Sequence, residues 1–107
     1  MYAVVYITAP QEAAERIARH LIERRLAACV NIAAPINSVY WWEGKVEEDK
    51  EALLIAKTKT DKLQELIAAV KAIHPYKVPE IIAVPIIGGN EDYIRWIDES
   101  IAQRPQA

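Results

Sequence analysis

The chain carries one cysteine, Cys29, in 107 residues, so no disulfide can close within it and a reducing compartment is the expected setting. It has no excess of positive charge, with 13 Lys and Arg against 15 Asp and Glu and a formal net charge of −2. Without a basic footprint, nucleic acid is not an expected partner. The three glycines make no phosphate-cradling loop, and the two serines, Ser38 and Ser100, sit in no nucleophile motif. Pairs of carboxylates occur, but no spacing sets them up as an acid/base dyad, so no catalytic activity is expected. Cys-x-x-Cys and His-x-x-x-His spacings are both missing, and a metal site would have to be assembled from distant segments or from several chains. No apolar run approaches membrane-spanning length. Met1-Tyr2-Ala3-Val4 lacks the basic start and cleavage signal of a secretory peptide. A cytoplasmic location and no membrane partner are the expectation.

What is present reads as one domain, residues 1–102, with a short C-terminal tail at 103–107. Hydrophobic residues make up 52% and charged residues 26%, ordinary for a globular protein. Tyr2 to Thr8 is rich in β-branched and aromatic residues and predicts a strand buried on both faces. Thr8 and Gln11 stand at capping-box spacing, with Pro10 in the first turn. Ala14, Ile17, Ala18, Leu21 and Ile22 follow at helical spacing, and the helix is expected to fade near Arg24 or Arg25. Ala28 to Glu43 reads as extended with an interruption at Pro35, Gly44-Lys45 as the turn, and Val46 to Thr58 as extended again. Asp61 is a candidate cap for a helix whose core face is Leu63, Leu66, Ile67, Val70 and Ile73, and Pro75 stops it. Glu80 to Ile86 reads as a further strand, and Tyr93, Ile94, Ile97 and Ile101 as the face of a last helix. The order β-α-β-β-α-β plus a terminal helix is that of a ferredoxin-like α+β domain, an antiparallel sheet with its two main helices on one face.

The central hairpin points beyond a single chain. Sixteen residues from Ala28 to Glu43 would extend about 50 Å at roughly 3.3 Å per residue, whereas a domain of about 100 residues has a radius of gyration of only about 13 Å. Neighbouring strand residues face opposite ways, so Trp41 and Trp42 cannot both reach one core. One indole needs cover from elsewhere, either a neighbouring chain or the terminal helix beside Trp96. An exposed aromatic arm and an unpaired edge both mark association, and an oligomer is expected.

Chemistry-bearing residues concentrate in His74-Pro75-Tyr76-Lys77-Val78-Pro79-Glu80, where two prolines stiffen a connector holding an imidazole, a phenol, an ammonium and a carboxylate. His74 reads first as an imidazole at a helix C-terminus and second as a metal ligand. Cys29 reads first as a small buried hydrophobe and second as a soft ligand for copper or zinc. His20 reads as solvated. Glu47-Glu48-Asp49, with Glu51 soon after, reads as a charged edge with loose capacity for hard divalent ions.

Six segments occur in order along nearly the whole chain: Thr8-Ala9-Pro10; Leu26-Ala27-Ala28-Cys29-Val30-Asn31; Tyr40-Trp41-Trp42-Glu43-Gly44-Lys45; Lys57-Thr58; His74 to Glu80; and Tyr93-Ile94-Arg95-Trp96-Ile97. Together they resemble the CutA family, the divalent-cation-tolerance proteins. The resemblance implies a compact homotrimer of ferredoxin-like subunits whose long hairpin wraps onto a neighbour. It also implies binding of copper(II) or another divalent cation in metal tolerance, with no obligatory cofactor. The architecture is similar to that of the trimeric nitrogen-signalling proteins, whose ligands sit between subunits. Some family members have a cysteine before Thr-Ala-Pro and a second histidine before His-Pro. Here those positions are Ile7 and Ile73, so His74 alone remains of that copper-linked set. Tyr40, Trp41, Trp42, Lys57, Tyr76, Glu80 and Trp96 are the candidates for subunit contacts or an intersubunit cleft. In that cleft they either lock the trimer, with Lys57 paired to Glu80 or Glu43, or enclose a small organic or anionic ligand. A trimeric sensor or an anchor for an unidentified protein partner is the alternative function.

Overall fold

β-Branched and aromatic residues build the first strand, β1 (Tyr2–Ala9), in a computed structural model that describes residues 1–102. The expected tail at 103–107 lies outside the described residues. The chain continues through α1 (Gln11–Glu23), β2 (Cys29–Trp42), β3 (Lys45–Lys59), a 3-10 turn (Thr60–Lys62), α2 (Leu63–Ile73), β4 (Ile81–Pro85) and α3 (Glu91–Ala102). The four strands lie in the order β2-β3-β1-β4, and β1–β3, β1–β4 and β2–β3 are all antiparallel. Strands β1 and β2 are thus parallel with β3 between them, and β3 and β4 are parallel with β1 between them. This is the doubly split βαβ of the ferredoxin-like order.

One face of the sheet carries the core. Val5, Ile7 and Ala9 of β1 and Ala52, Leu54 and Ala56 of β3 meet Ala14, Ile17, Ala18 and Leu21 of α1 and Leu66 and Val70 of α2. The alanines of α1 let the helix approach closely, and the alternation in β1 places every second residue against it. The predicted double-sided burial of β1 does not occur in a single chain. Tyr2, Val4, Tyr6 and Thr8 are only half-buried, because both main helices occupy the other face. On that second face Val4, Tyr6, Leu53 and Ile55 share register with Ile82 and Val84, which are 53% and 43% exposed. Helix α3 covers only one end of it. Asp98 accepts from the Tyr2 hydroxyl and pairs with Lys59 at 3.1 Å.

Helix ends use devices other than those the spacing predicts. Thr8 stays in β1, so α1 starts behind Pro10 with no side-chain cap, and Asp61 lies inside the 3-10 turn and does not cap α2. The end of α1 is a Schellman motif. Arg25 takes φ 59°, its N–H donates to the Ile22 carbonyl (3.0 Å), and the Leu26 N–H donates to the Leu21 carbonyl (2.9 Å). The Arg25 guanidinium then reaches the Ser100 carbonyl at 3.0 Å and ties this corner to α3. Ile22, predicted on the core face, is exposed.

The hairpin has about the length its sequence suggests, and β2 runs on through Pro35. Register shifts once, between Ala33 and Ile36, around the cis Ala34–Pro35 bond. The turn has φ 51° at Glu43 and 80° at Gly44, the pair of positive values that a two-residue type I′ turn requires. Every residue from Val39 to Lys50 is exposed. The arm stretches the molecule to 45 Å on its long axis. Among the described residues, no helix is long and apolar enough to cross a membrane.

Candidate functional site

The segment from His74 to Glu80 runs around the end of β1 and meets the base of the arm. Its first residue sets its path. The His74 N–H closes α2 on the Val70 carbonyl at 2.8 Å, and Arg16 of α1 donates to the Ile73 carbonyl at 3.0 Å. His74 itself is buried. Its Nδ1 accepts from the Tyr76 N–H at 3.0 Å, which leaves Nε2 to donate to the Thr8 carbonyl at 2.8 Å. That pattern selects the neutral Nε2–H tautomer and locks the ring between β1 and the loop. The His74 and Tyr76 rings lie 4.8 Å apart.

Tyr76 then turns its hydroxyl onto Glu51, donating to Oε2 at 2.7 Å. Glu51 sits one position beyond the last β1 partner of β3, where the neighbouring strand has ended and the loop takes its place. On β2, Tyr40 donates to Asp49, which alternates with Glu51 on one face of β3. Two phenols therefore each serve a carboxylate. Asp49 holds the Tyr40 phenol up to about 12, with smaller contributions from desolvation and the charges of Glu51 and Glu47. Burial, then the Glu51 hydrogen bond, pushes the Tyr76 phenol up as well. Thr8 donates to Glu80 at 3.5 Å on the far side. These groups surround a cavity of about 800 Å³ walled by Tyr40, Trp41 and Trp42 of β2, Glu51 of β3, and Tyr76 and Glu80 of the loop. Its apolar walls with a few oriented polar groups suit a small ligand.

Five of the seven candidate cleft residues meet at this cavity: Tyr40, Trp41, Trp42, Tyr76 and Glu80. Lys57 and Trp96 stand elsewhere in the chain. Lys57 donates to Asn31, not to Glu80 or Glu43, and Trp96 stacks on Tyr93 at 5.3 Å. The terminal helix thus takes Trp96 away from the indoles of the arm. Glu51 is the participant that sequence reading left in a solvated acidic run; it is the one member of that run that is buried. The signal was available in Ala52-Leu53-Leu54, since a carboxylate next to a buried strand segment needs a partner.

The metal candidates do not converge. Cys29 is half-exposed and not a core residue, because it lies on the sheet face opposite α1 and α2, beside Tyr93 of α3, with Sγ 3.8 Å from Asn31 Oδ1. It pairs with Lys57, whereas Thr8, the acceptor of His74, pairs with Leu53. Four residues of β3, on the order of 13 Å, separate those positions along the strand. Both nitrogens of His74 are in hydrogen bonds, so a metal would have to displace one. Among the described residues, no three His, Cys, Asp or Glu side chains are grouped to hold an ion. The described side chains of the chain, as arranged, do not fit a bound copper ion.

The CutA1 divalent ion tolerance protein family matches residues 3–100. The chain is 55% identical over 98 residues to the chloroplastic protein CutA 1 of Oryza sativa, covering 91% of itself but 55% of that longer protein. It is 52% identical over 101 residues to the divalent-cation tolerance protein CutA of Thermus thermophilus, covering 94% of itself and 98% of the relative. The solved periplasmic divalent cation tolerance protein CutA of Archaeoglobus fulgidus superposes with a TM-score of 0.91 at 50% identity, covering 94% of this chain and 99% of that one. With this sheet order, this arm and this degree of identity, the chain belongs to the CutA1 divalent ion tolerance family.

Proposed function

We propose that the chain works in the cytoplasm as a homotrimer in divalent-cation tolerance, taking up copper(II) or another divalent ion where subunits meet. The observation that supports the assembly is the apolar surface that one chain leaves open. Ile82 and Val84 lie on the uncovered sheet face, and Trp41 and Trp42, 74% and 44% exposed, stand on an arm that projects past its own core. Surface of this kind marks an association site. The metal role draws on the names of the relatives and on the carboxylates Glu47, Glu48 and Asp49 of the arm. Because the described residues of one subunit group no three ligands, an ion would be held by side chains of more than one. Cys29 and His74 are the soft and borderline candidates, and His74 ligates only on giving up its bond to Thr8 or to Tyr76. No reaction is assigned to the protein.

Native mass spectra of chelator-stripped protein, titrated with copper(II) and with magnesium as control, test both halves. A trimer that takes up a fixed number of copper ions, with uptake reduced in His74→Ala or Cys29→Ala, is the expected result. A monomer at every concentration rejects the assembly. Graded, non-saturating adducts that are alike for copper and magnesium reject the metal role. A second reading, a trimeric small-molecule sensor, is favoured by the 800 Å³ cavity beside Tyr76.

A further inference from the structure

The cavity beside the arm contains one buried carboxylate, Glu51, with no ion-pair partner among the described residues. Glu51 is 4% exposed, and its one hydrogen bond comes from the neutral Tyr76 hydroxyl. None of the ion pairs among the described residues reaches it. Glu80, an exposed residue of the lining, accepts from Thr8 and has no ion-pair partner among the described residues. Asp49, which accepts from Tyr40, is exposed and stands outside the lining. The single cation in the lining is Lys77, whose side chain is exposed. A carboxylate taken out of water without a counter-charge is costly, and it favours any cation that can reach it. The walls agree, since the faces of Tyr40, Trp42 and Tyr76 attract positive charge.

We propose that this cavity binds a small organic ammonium ion, a primary amine on a short apolar stem, with its nitrogen against Glu51 and its stem along Tyr76 and Tyr40. The inference rests on the small-molecule reading and names its ligand class. An anion is disfavoured because Lys57, the cation that would have received it, is engaged with Asn31 away from the cavity. A bare divalent ion is disfavoured because three carboxylates do not converge. An ammonium needs only one carboxylate oxygen, water and an aromatic face. Tyr76, with its phenol pushed up by burial and by Glu51, stays a donor at neutral pH and holds Glu51 in place.

Chelator-stripped protein is titrated calorimetrically with pentylamine, and with pentan-1-ol and pentanoate as neutral and anionic matches, while Trp42 and Trp41 report by fluorescence. Saturable binding of the amine at least about tenfold tighter than the alcohol is expected, a tenfold ratio corresponding to about 1.4 kcal/mol. Glu51→Gln keeps an acceptor for Tyr76 but removes the charge, and it is expected to weaken the amine roughly tenfold without affecting the alcohol. Lys77→Gln removes the repelling charge and is expected to tighten the amine. If Glu51→Gln does not fold, the order of the three probes and the sign of the Lys77→Gln effect decide the matter. Equal binding of amine and alcohol, or preference for pentanoate, overturns the ammonium class while leaving a small-molecule site. A trimer that binds none of the three, its cavity filled by a neighbouring chain, overturns both.

Discussion

Single phenols tie neighbouring segments together. Tyr40 and Tyr76 each donate to a carboxylate, Tyr2 donates to Asp98, and all three phenols are raised above their ordinary 10.0, Tyr40 to about 12. For each, the folded value lies above the unfolded one, so the folded chain keeps a proton that the unfolded chain releases. Their contribution to stability is fully present below about pH 10 and is lost as pH rises through the folded values. The melting temperature is expected to hold level up to about pH 10 and to fall beyond it, and native-state absorbance should show Tyr40→Phe removing a tyrosinate step near 12. A melting temperature unchanged well above pH 11 contradicts this account. The residue types of the site were legible in sequence, since His74-Pro75-Tyr76 announces a stiff polar connector. Their partners were not legible, because Thr8, Glu51 and Asp49 come from strands that only the fold brings alongside.

Elements show where local signals lose to the ladder of a sheet. Thr8 has the spacing of a cap for α1, but its backbone belongs to β1 and its side chain turns to Glu80. Helix α3 was legible from its apolar period, yet not what it covers. Asp98 holds it to the sheet through Tyr2 first and Lys59 second, and both draw its carboxyl below the usual 3.8. That tether is present above about pH 4 and is lost as pH falls through the lowered folded value. Asp98→Asn is expected to speed amide hydrogen exchange across α3 while the amides of α1 keep their protection. Equal protection of α3 in both proteins would show that Ile97 and Ile101 alone seat the helix.

At the scale of the whole molecule, the arm carries exposed aromatic surface away from the body, and the proposed trimer is where its loss would be felt. Its radius of gyration is 14.5 Å, against about 13 Å for a rounded domain of this length, and the excess lies in the arm. Trp42→Ala is expected to cost an interface about 2 kcal/mol, or roughly thirtyfold in subunit dissociation, as central interfacial tryptophans do. Dilution followed by mass photometry checks it, and identical dissociation of mutant and parent removes Trp42 from the contact. Because Trp42 also walls the cavity, loss of assembly and loss of ligand would appear together in this variant, whereas Glu51→Gln separates them.

Order and type of the main elements were written in the sequence. Apolar period, the two prolines around Tyr76 and a glycine-bearing hairpin turn are local properties, set by sterics and by which side chains avoid water, although the turn falls at Glu43-Gly44, one residue before the Gly44-Lys45 that the sequence suggests. Exposure of one sheet face was not, since β1 reads as apolar on both sides and only the placement of α1 and α2 together on one side leaves Val4, Tyr6, Ile82 and Val84 uncovered. Nor was the cavity. It depends on β1 ending one residue short of Glu51, so that the loop after α2 closes over a carboxylate which the sequence shows only as one more charge in an acidic run.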